Sequence, residues 1–507
     1  MESIVVFEGI SGGRYYADEI IRRGYAPVVI FPKIPSRPVY EALRAPAKAY
    51  WEKLGATVIA PEDSSEAAML EILRRINPAA VVAGSEIGVP WCDFAAKALG
   101  LPGNDPATSL WRRSKFAMQS RLAECGVPAI RSRRCSTVEA CLETAREWGA
   151  WPVVVKPLSG AGSDGVHFCP DEASLLEKCR EVFAGRDIFG YRNTEILLQE
   201  FLRGTEYIVN TASCRGRHAV TDIWRYDKIP LGDLGNPYNY AALVMQPTEI
   251  EKPIVDYVMA VLDALGFEYG PSHTEIMLTA QGPRLIETGA RPMGGFFPPA
   301  ELRDSLGHEI VDIALDTLLA PEAFEAFRRE PYAPVKPALL KIVVSSAAYK
   351  VGDIHYEALL MEAPAARCWE FDFVRAHGGT AVSVDLESAA GEVYLSDENP
   401  EKVWLAYESL RRLESQAERW LFAPAGEALR MRTPVLHGTG AVPYAESVVL
   451  PWPDVIRHVG KYSRETPAGT TLLVEAGSQT EEEALVFRSL LGLFGWKATE
   501  YDAYRKL

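Results

Sequence analysis

The stretch WPVVVKPLSGAGSDGV, residues 151–166, begins with an apolar run that delivers Lys156 and Pro157 to the end of a strand. A loop of small residues follows at once, with Ser159, Gly160, Ala161, Gly162, Ser163 and Gly165. Glycine lets backbone N–H groups approach an anion closely, and successive N–H groups form a concave anion site. A lysine arriving on the preceding strand adds a point charge suited to phosphate. The combination reads as a nucleotide triphosphate site beneath a flap, although a plain hairpin uses the same residue types. Neither common nucleotide fingerprint fits. Walker A places its lysine after the glycines, whereas here it precedes them. Residues Gly160 to Gly165 spell GxGxxG, but Val166 to Cys169 read as a strand where that motif needs a helix. The loop is therefore expected inside a hairpin.

A second constellation lies downstream in HTEIMLTAQGPRLIETGARPMGG, residues 273–295. His273 to Leu278 and Pro283 to Glu287 read as two strands joined by a turn at Ala280-Gln281-Gly282. Glu275 and Glu287 then face each other across an antiparallel pair. Neighbouring carboxylates repel unless a cation lies between them, which points to Mg²⁺, with Mn²⁺ as the alternative, bridging phosphate oxygens. Arg291 follows in a Gly- and Pro-rich exit, placed to neutralise a transferring phosphoryl group. Taken alone, the hairpin also suits a solvated cross-strand pair beside a surface arginine.

The order and content of these two segments resemble the ATP-grasp superfamily of carboxylate–amine ligases, and the resemblance runs from about Trp111 to Gly295. It implies an α/β and α+β multidomain fold: an N-terminal doubly wound parallel sheet, two lobes that clasp ATP, and a C-terminal extension. Lys115 stands at the place of the first phosphate-binding lysine and Lys156 at that of the second. The run Ile196 to Leu202, with Gln199, Glu200 and Leu202, looks like the strand and hinge whose backbone holds adenine. Glu206 sits where the family places a ribose-binding carboxylate, and Lys228 resembles a third triphosphate contact. Glu275 and Glu287 match the metal-binding acids.

One departure stands out. Many members carry Glu-x-Asn at the metal site, but here the third position is Gly289, so water or phosphate oxygen is left to complete the metal shell. The ETGAR run instead resembles the L-amino acid ligase branch, in which an arginine four residues after the glutamate contacts the reacting group. His273 stands two residues before Glu275, where D-alanine–D-alanine ligases carry an arginine. An imidazole there can hydrogen-bond an acyl phosphate or a substrate carboxylate, or simply bond to backbone as a strand histidine. Glu86, after an earlier strand, suits a substrate ammonium group or an ordinary surface position.

Composition bounds the rest. A chain of 507 residues, 48% hydrophobic, can bury several cores, and its length suggests about three or four lobes. The net charge of −15 argues against nucleic acid as a partner, which needs a basic face. There is no apolar run of about 18 residues to span a bilayer, and Met1-Glu2-Ser3 lacks the basic start of a signal peptide. The eight cysteines show no CxxC spacing, so reduced, buried thiols in a cytoplasmic protein are expected.

Domain boundaries are expected as follows. Residues 1–110 alternate strand and helix, a pattern that predicts a parallel sheet covered on both faces. Residues 111–190 form a small lobe with the phosphate loop, and 191–330 a larger lobe with the metal site. Residues 331–430 form a C-terminal lobe. Residues 431–507 form a small α/β appendage whose default role is oligomer contact, with a homodimer allowed.

The resemblance implies the chemistry. A small carboxylate takes the γ-phosphoryl group of ATP, and an amine displaces phosphate from the acyl phosphate to form an amide. Arg291, with His273, is the pair expected to stabilise the reacting group, and no general base stands out. Two other readings stay open: a biotin-carboxylase-like or purine-pathway enzyme, and a module that binds ATP without consuming it.

Overall fold

Short apolar strands alternating with helices build the first sheet. The computed structural model describes residues 1–35, 38–158, 165–187, 190–229, 237–354, 363–383, 388–415 and 422–424. Strands β1 (Ser3–Phe7), β2 (Ala26–Ile30), β3 (Thr57–Ile59) and β4 (Ala80–Ala83) are parallel, in the order β3-β2-β1-β4. Helices α1 (Tyr16–Arg22), α2 (Pro38–Lys53), α3 (Glu66–Ile76) and α4 (Gly88–Leu99) pack on it. The strand period of two sends Ile4 and Val6 into a core with Tyr16, Ile20 and Trp51, while Val5 and Phe7 enter another with Met69, Leu73 and Ala95. Two covered faces explain why every residue of β1 and β4 is buried. Local signals set the helix ends. Ser65 caps α3 by accepting the Ala68 N–H at 3.3 Å, and Asn77 closes it in the left-handed region. The expected doubly wound sheet is present, with α4 as a helix the sequence reading did not mark.

The next elements are α5 (Lys115–Glu124), β5 (Ser132–Cys135), α6 (Val138–Trp148), β6 (Val153–Pro157), β7 (His167–Cys169), α7 (Glu172–Ala184) and β8 (Ile196–Glu200). The strands form an antiparallel sheet ordered β5-β8-β6-β7. Cys135, Val153, Val155, Cys169 and Ile196 line its core, together with Cys141 and Ala145 of α6 and Leu175 and Cys179 of α7. β6 and β7 pair as the hairpin expected from the 151–166 stretch.

A larger antiparallel sheet follows. Its elements are β9 (Gly204–Cys214), β10 (Arg217–Lys228), β11 (Tyr238–Leu243), α8 (Lys252–Ala264), β12 (Tyr269–Thr279), β13 (Gly282–Gly289), α9 (Pro299–Leu306), α10 (Ile310–Leu319), α11 (Pro321–Arg329) and β14 (Ala338–Val343). The strand order is β13-β12-β9-β10-β11-β14. Tyr207, Val209, Ile223, Ile276 and Leu285 turn one face into a core with Ile254, Val258, Val261 and Leu262 of α8. That leaves the opposite face for chemistry.

A second compact unit begins at Val343. Within it, β15 (Val351–Ile354) pairs with β18 (Phe422–Pro424), and β16 (Ala366–Glu370) pairs with β17 (Gly391–Ser396). Its helices are α12 (Asp372–His377) and α13 (Pro400–Ser415). Phe371 and Phe422 meet edge to face at 5.8 Å in its core. The strands read at Ser447–Leu450 and Thr471–Val474 and the helix read at Glu481–Phe494 lie outside the described residues. All eight cysteines are free, and no helix of the described residues is long and apolar enough to cross a membrane.

Candidate active site

Strand register assembles the site. On β12 the alternation puts His273, Glu275 and Met277 on the face away from α8, since Ile276 between them is in the core. Asn210, Ile208 and Glu206 oppose these three residues from β9. On the other side Glu287 of β13 lies opposite Glu275, as the spacing of the two carboxylates predicts. A bulge makes this possible. In a regular strand Leu285 and Glu287 would share a face, yet Leu285 packs in the core opposite Ile276. The register shift between Glu275 and Ile276 supplies one extra residue on β13 and turns Glu287 to the site.

Two lysines converge on this pair. Lys115 opens α5, whose position is set by Gln119: its amide donates to the Leu285 carbonyl at 2.7 Å and its oxygen accepts the Ile130 N–H at 2.8 Å. From there Lys115 forms an ion pair with Glu287. Lys156, buried on β6, feels Lys115, Glu287, Glu275 and Glu206. Burial, reinforced by Lys115, lowers the Lys156 ammonium to about 8. Burial alone would raise Glu287, but Lys115, Lys156 and Arg291 outweigh it and hold the carboxyl at about 2. Glu275 lacks so close a cation, and burial with the Glu287 charge pushes it up to about 7. The two acids thus titrate far apart, as expected when like charges share a buried site.

Around this centre the other predicted residues fall into three groups. Glu206 is buried and accepts from Lys228 at 2.7 Å and from the Tyr238 hydroxyl at 2.8 Å. The Lys228 ammonium also stands 4.2 Å above the Tyr238 ring. The two residues read as ribose and triphosphate contacts are therefore partners of one another at the end of β9 and β10. Gln199 and Glu200 are engaged inside the small sheet. Gln199 donates to Ser132 Oγ at 2.7 Å, and Glu200 accepts the Arg131 N–H at 2.9 Å. Leu202 follows β8 in coil. Ser159, Gly160, Ala161, Gly162 and Ser163 lie outside the described residues. Gly165, at the far side of the loop, has φ +69 and packs against the Pro157 ring, where a Cβ would come within 3.0 Å.

Arg291 is not free. Its Nε donates to Glu86 Oε1 at 2.9 Å, and its NH1 group donates to the Pro292 carbonyl at 3.0 Å. Glu86 sits just beyond β4, and Arg113 approaches its other oxygen at 3.9 Å. A Cβ on residue 289 would lie 2.1 Å from Glu86 Oε1. The Glu86 carboxylate thus occupies the space that a side chain on residue 289 would need.

His273 is buried, with Nδ1 2.9 Å from Asn210 Oδ1 and Nε2 3.3 Å from Glu275 Oε1. Burial, together with Arg291, lowers its pKa to about 3, so the imidazole is neutral. Sequence reasoning missed Asn210, Asp222 and Tyr238 as neighbours. The available signal was polar residues interrupting the apolar runs of β9 and β10, which mark a covered polar face without naming its partners.

Comparison with known proteins places the family and the fold. The ATP-grasp domain family matches residues 150–299. Dapdiamide A synthase of Enterobacter agglomerans is 33% identical over 293 residues, covering 57% of this chain and 68% of that protein. The L-arginine-specific L-amino acid ligase of Bacillus subtilis is 24% identical over 227 residues, 45% of this chain and 54% of the relative. The chain therefore spans only about half the length of that second protein. Among solved structures, an L-amino acid ligase from Bacillus licheniformis superposes with a TM-score of 0.60 at 20% identity, covering 81% of this chain and 97% of the other, a likeness of fold.

Proposed function

The chain belongs to the ATP-grasp family, and we propose that it joins a small carboxylate, an amino acid, to an amine through an acyl phosphate, releasing ADP and phosphate. The observation that carries this reading is the buried cluster of Glu275 facing Glu287, with Lys115 paired to Glu287 and Lys156 beside it. Such a cluster suits a polyanion and a divalent cation and little else.

The donor set fits Mg²⁺. Two carboxylates lie opposite each other in a site where burial and the Glu287 charge raise Glu275 to about 7. Among the described residues no third His, Cys, Asp or Glu joins them in a metal-binding group. Phosphate oxygens and water are left to complete the shell. Bound there, the cation would offset charge on the transferring phosphoryl group. Lys115 and Lys156 would hold phosphate oxygens in the same region, with Glu206 for the ribose and Lys228 for the triphosphate.

Glu86 and Arg291 set an anion beside a cation at the edge of this cluster. A free α-amino acid carries the complementary charges, with its carboxylate for Arg291 and its ammonium for Glu86. Two unprotected amino acids are therefore the first substrates to supply. Consumption of ATP and eight free cysteines suit the cytoplasm.

The test is phosphate release with ATP and Mg²⁺ across a matrix of paired amino acids and small carboxylates, with mass spectrometry on every positive well. A product lighter by one water than the two substrates together establishes the ligase. Bicarbonate-dependent ADP formation, or ATP binding with silence in every well, overturns it.

A further inference from the structure

We propose that Ser11 is a positioning residue of the amino-acid site: from the turn after β1 it holds the loop that carries Arg291, and so sets that guanidinium against Glu86. Its effect on turnover rests on the reading of Glu86 and Arg291 as amino-acid contacts, but the hold itself does not.

The turn reads EGISGG, residues 8–13. Three of these six residues are glycine, yet the left-handed positions fall elsewhere, on Glu8 at φ +57 and Ser11 at φ +50. A side chain is disfavoured in that region and glycine is not. A residue other than glycine there directs attention to what its side chain does. Glu8 is engaged by Arg44, which donates to its two oxygens at 2.6 and 2.7 Å. The Ser11 hydroxyl oxygen accepts the Gly295 N–H at 3.1 Å. A glycine at position 11 would relax the backbone and forfeit that bond.

The glycines of the turn serve close approach instead. A Cβ on Gly12 would lie 1.9 Å from the Met293 carbonyl oxygen, and one on Gly13 would lie 2.1 Å from that of Gly84. Met293 stands just past Arg291, and Gly84 just ahead of Glu86. One turn is therefore packed backbone to backbone against both loops whose side chains meet, Arg291 Nε to Glu86 Oε1 at 2.9 Å. Met293 is fixed from the other side too, its buried sulfur 3.4 Å from Asn210 Nδ2. Beyond it, Gly294 and Gly295 bring no side chain to anchor the chain, and Gly295 is exposed. The Ser11 hydroxyl ties down that end. With Met293 seated on Gly12 and Gly295 bound to Ser11, two points fix the direction in which the chain leaves Arg291. A side chain that must meet a substrate carboxylate gains from such support, because small displacements cost affinity.

Two substitutions at position 11 separate the hydroxyl from the backbone. Ser11→Gly and Ser11→Ala both remove the acceptor, but glycine is at ease at φ +50 and alanine is not. If Ser11 served folding alone, Ser11→Gly would match the wild type in every assay. The expected result is a higher thermal midpoint for Ser11→Gly than for Ser11→Ala, with equal damage at the site. Hydrogen–deuterium exchange of the ligand-free protein, read on the peptide containing Gly295, should be faster in both variants than in the wild type. In turnover assays, the amino acid held by Glu86 and Arg291 is recognised as the one whose KM responds to Glu86→Ala. Both Ser11 variants should raise that KM about fivefold, the loss of one neutral hydrogen bond, and leave the KM for ATP within about twofold of the wild type. Wild-type exchange in both variants overturns the hold without touching the ligase reading. A wild-type amino acid KM in Ser11→Gly, or equal rises in the KM values for amino acid and ATP, overturns the role at the site. Should Ser11→Ala fail to fold, Ser11→Gly against the wild type still decides both points. Absence of turnover with every substrate pair refutes the ligase reading and the effect on turnover together, while exchange still decides the hold.

Discussion

Lys156 is 5% exposed, and it is cationic only below about pH 8 because burial and the neighbouring Lys115 both oppose its charge. ATP bound at Lys156, as proposed, would bring enough negative charge to reverse that balance. Linkage then requires proton uptake on binding wherever the free lysine is partly deprotonated. Titration calorimetry at pH 8.5, in two buffers of different ionisation enthalpy, should show uptake of roughly 0.7 proton per ATP. Uptake should fall toward zero near pH 6.5 and vanish in Lys156→Met. Equal heats in both buffers at pH 8.5 would separate the triphosphate from Lys156. The sign for folding is opposite. Between about pH 8 and the ordinary lysine value, the unfolded chain holds a proton that the folded one has released. The ligand-free protein therefore gains stability from this group as pH rises through that window. Lys156 itself was legible in the sequence because a lysine at the end of an apolar run beside glycines is a local pattern. Glu275 and Glu287 were legible for the same reason. Glu86 was legible as a candidate from its place after a strand, but its pairing with Arg291 was not, because Arg291 lies on a distant stretch of chain.

Elements are where local reading and packing part company. Helix α3 was readable to its ends, since Ser65 and Asn77 are its caps. The bulge in the β12–β13 hairpin was not readable, because an alternation that fails by one residue looks like noise until the core claims Leu285. The contact between the loop after β4 and the end of β13 was hidden as well, and it carries a prediction. A methyl group on residue 289 needs the space of the Glu86 carboxylate, 2.1 Å away. Glu86 has a flexible end, so Gly289→Ala should leave the fold intact and push the carboxylate off Arg291. KM for the amino acid substrate should rise about tenfold, the loss of one charge-assisted bond. In a Glu86→Ala background the same change should cost little, because the obstructed group is gone. A double-mutant cycle on KM measures this directly. Additive effects at the two positions would mean that Gly289 is small for some other reason.

At the scale of the molecule, the parallel sheet and the larger antiparallel sheet must hold a fixed relation for Glu86 to reach Arg291. Helix α1 of the first sheet meets α10 of the second through charge. Arg23 donates to Asp316 at 2.7 Å, it also pairs with Asp312, and both Arg22 and Arg23 hold the buried Glu19. Glu309, just ahead of α10, accepts from Arg303 at 2.7 Å. Even so, burial raises its carboxyl to about 8, with Glu19 and Asp312 adding repulsion against the help of Arg303. A carboxyl raised on folding contributes stability that is complete below its unfolded pKa and is lost as pH rises through its folded pKa. For Glu309 that window runs from its ordinary value near 4.5 to about 8. Thermal midpoints of the wild type and of Glu309→Gln, compared at pH 6 and pH 9, isolate this contribution from every other titrating group. The wild type should lose more stability between the two values than the variant, which has no charge to bury. Parallel losses would show that Glu309 does not titrate in that window, and that the ionic contact between the two sheets holds equally well at either pH.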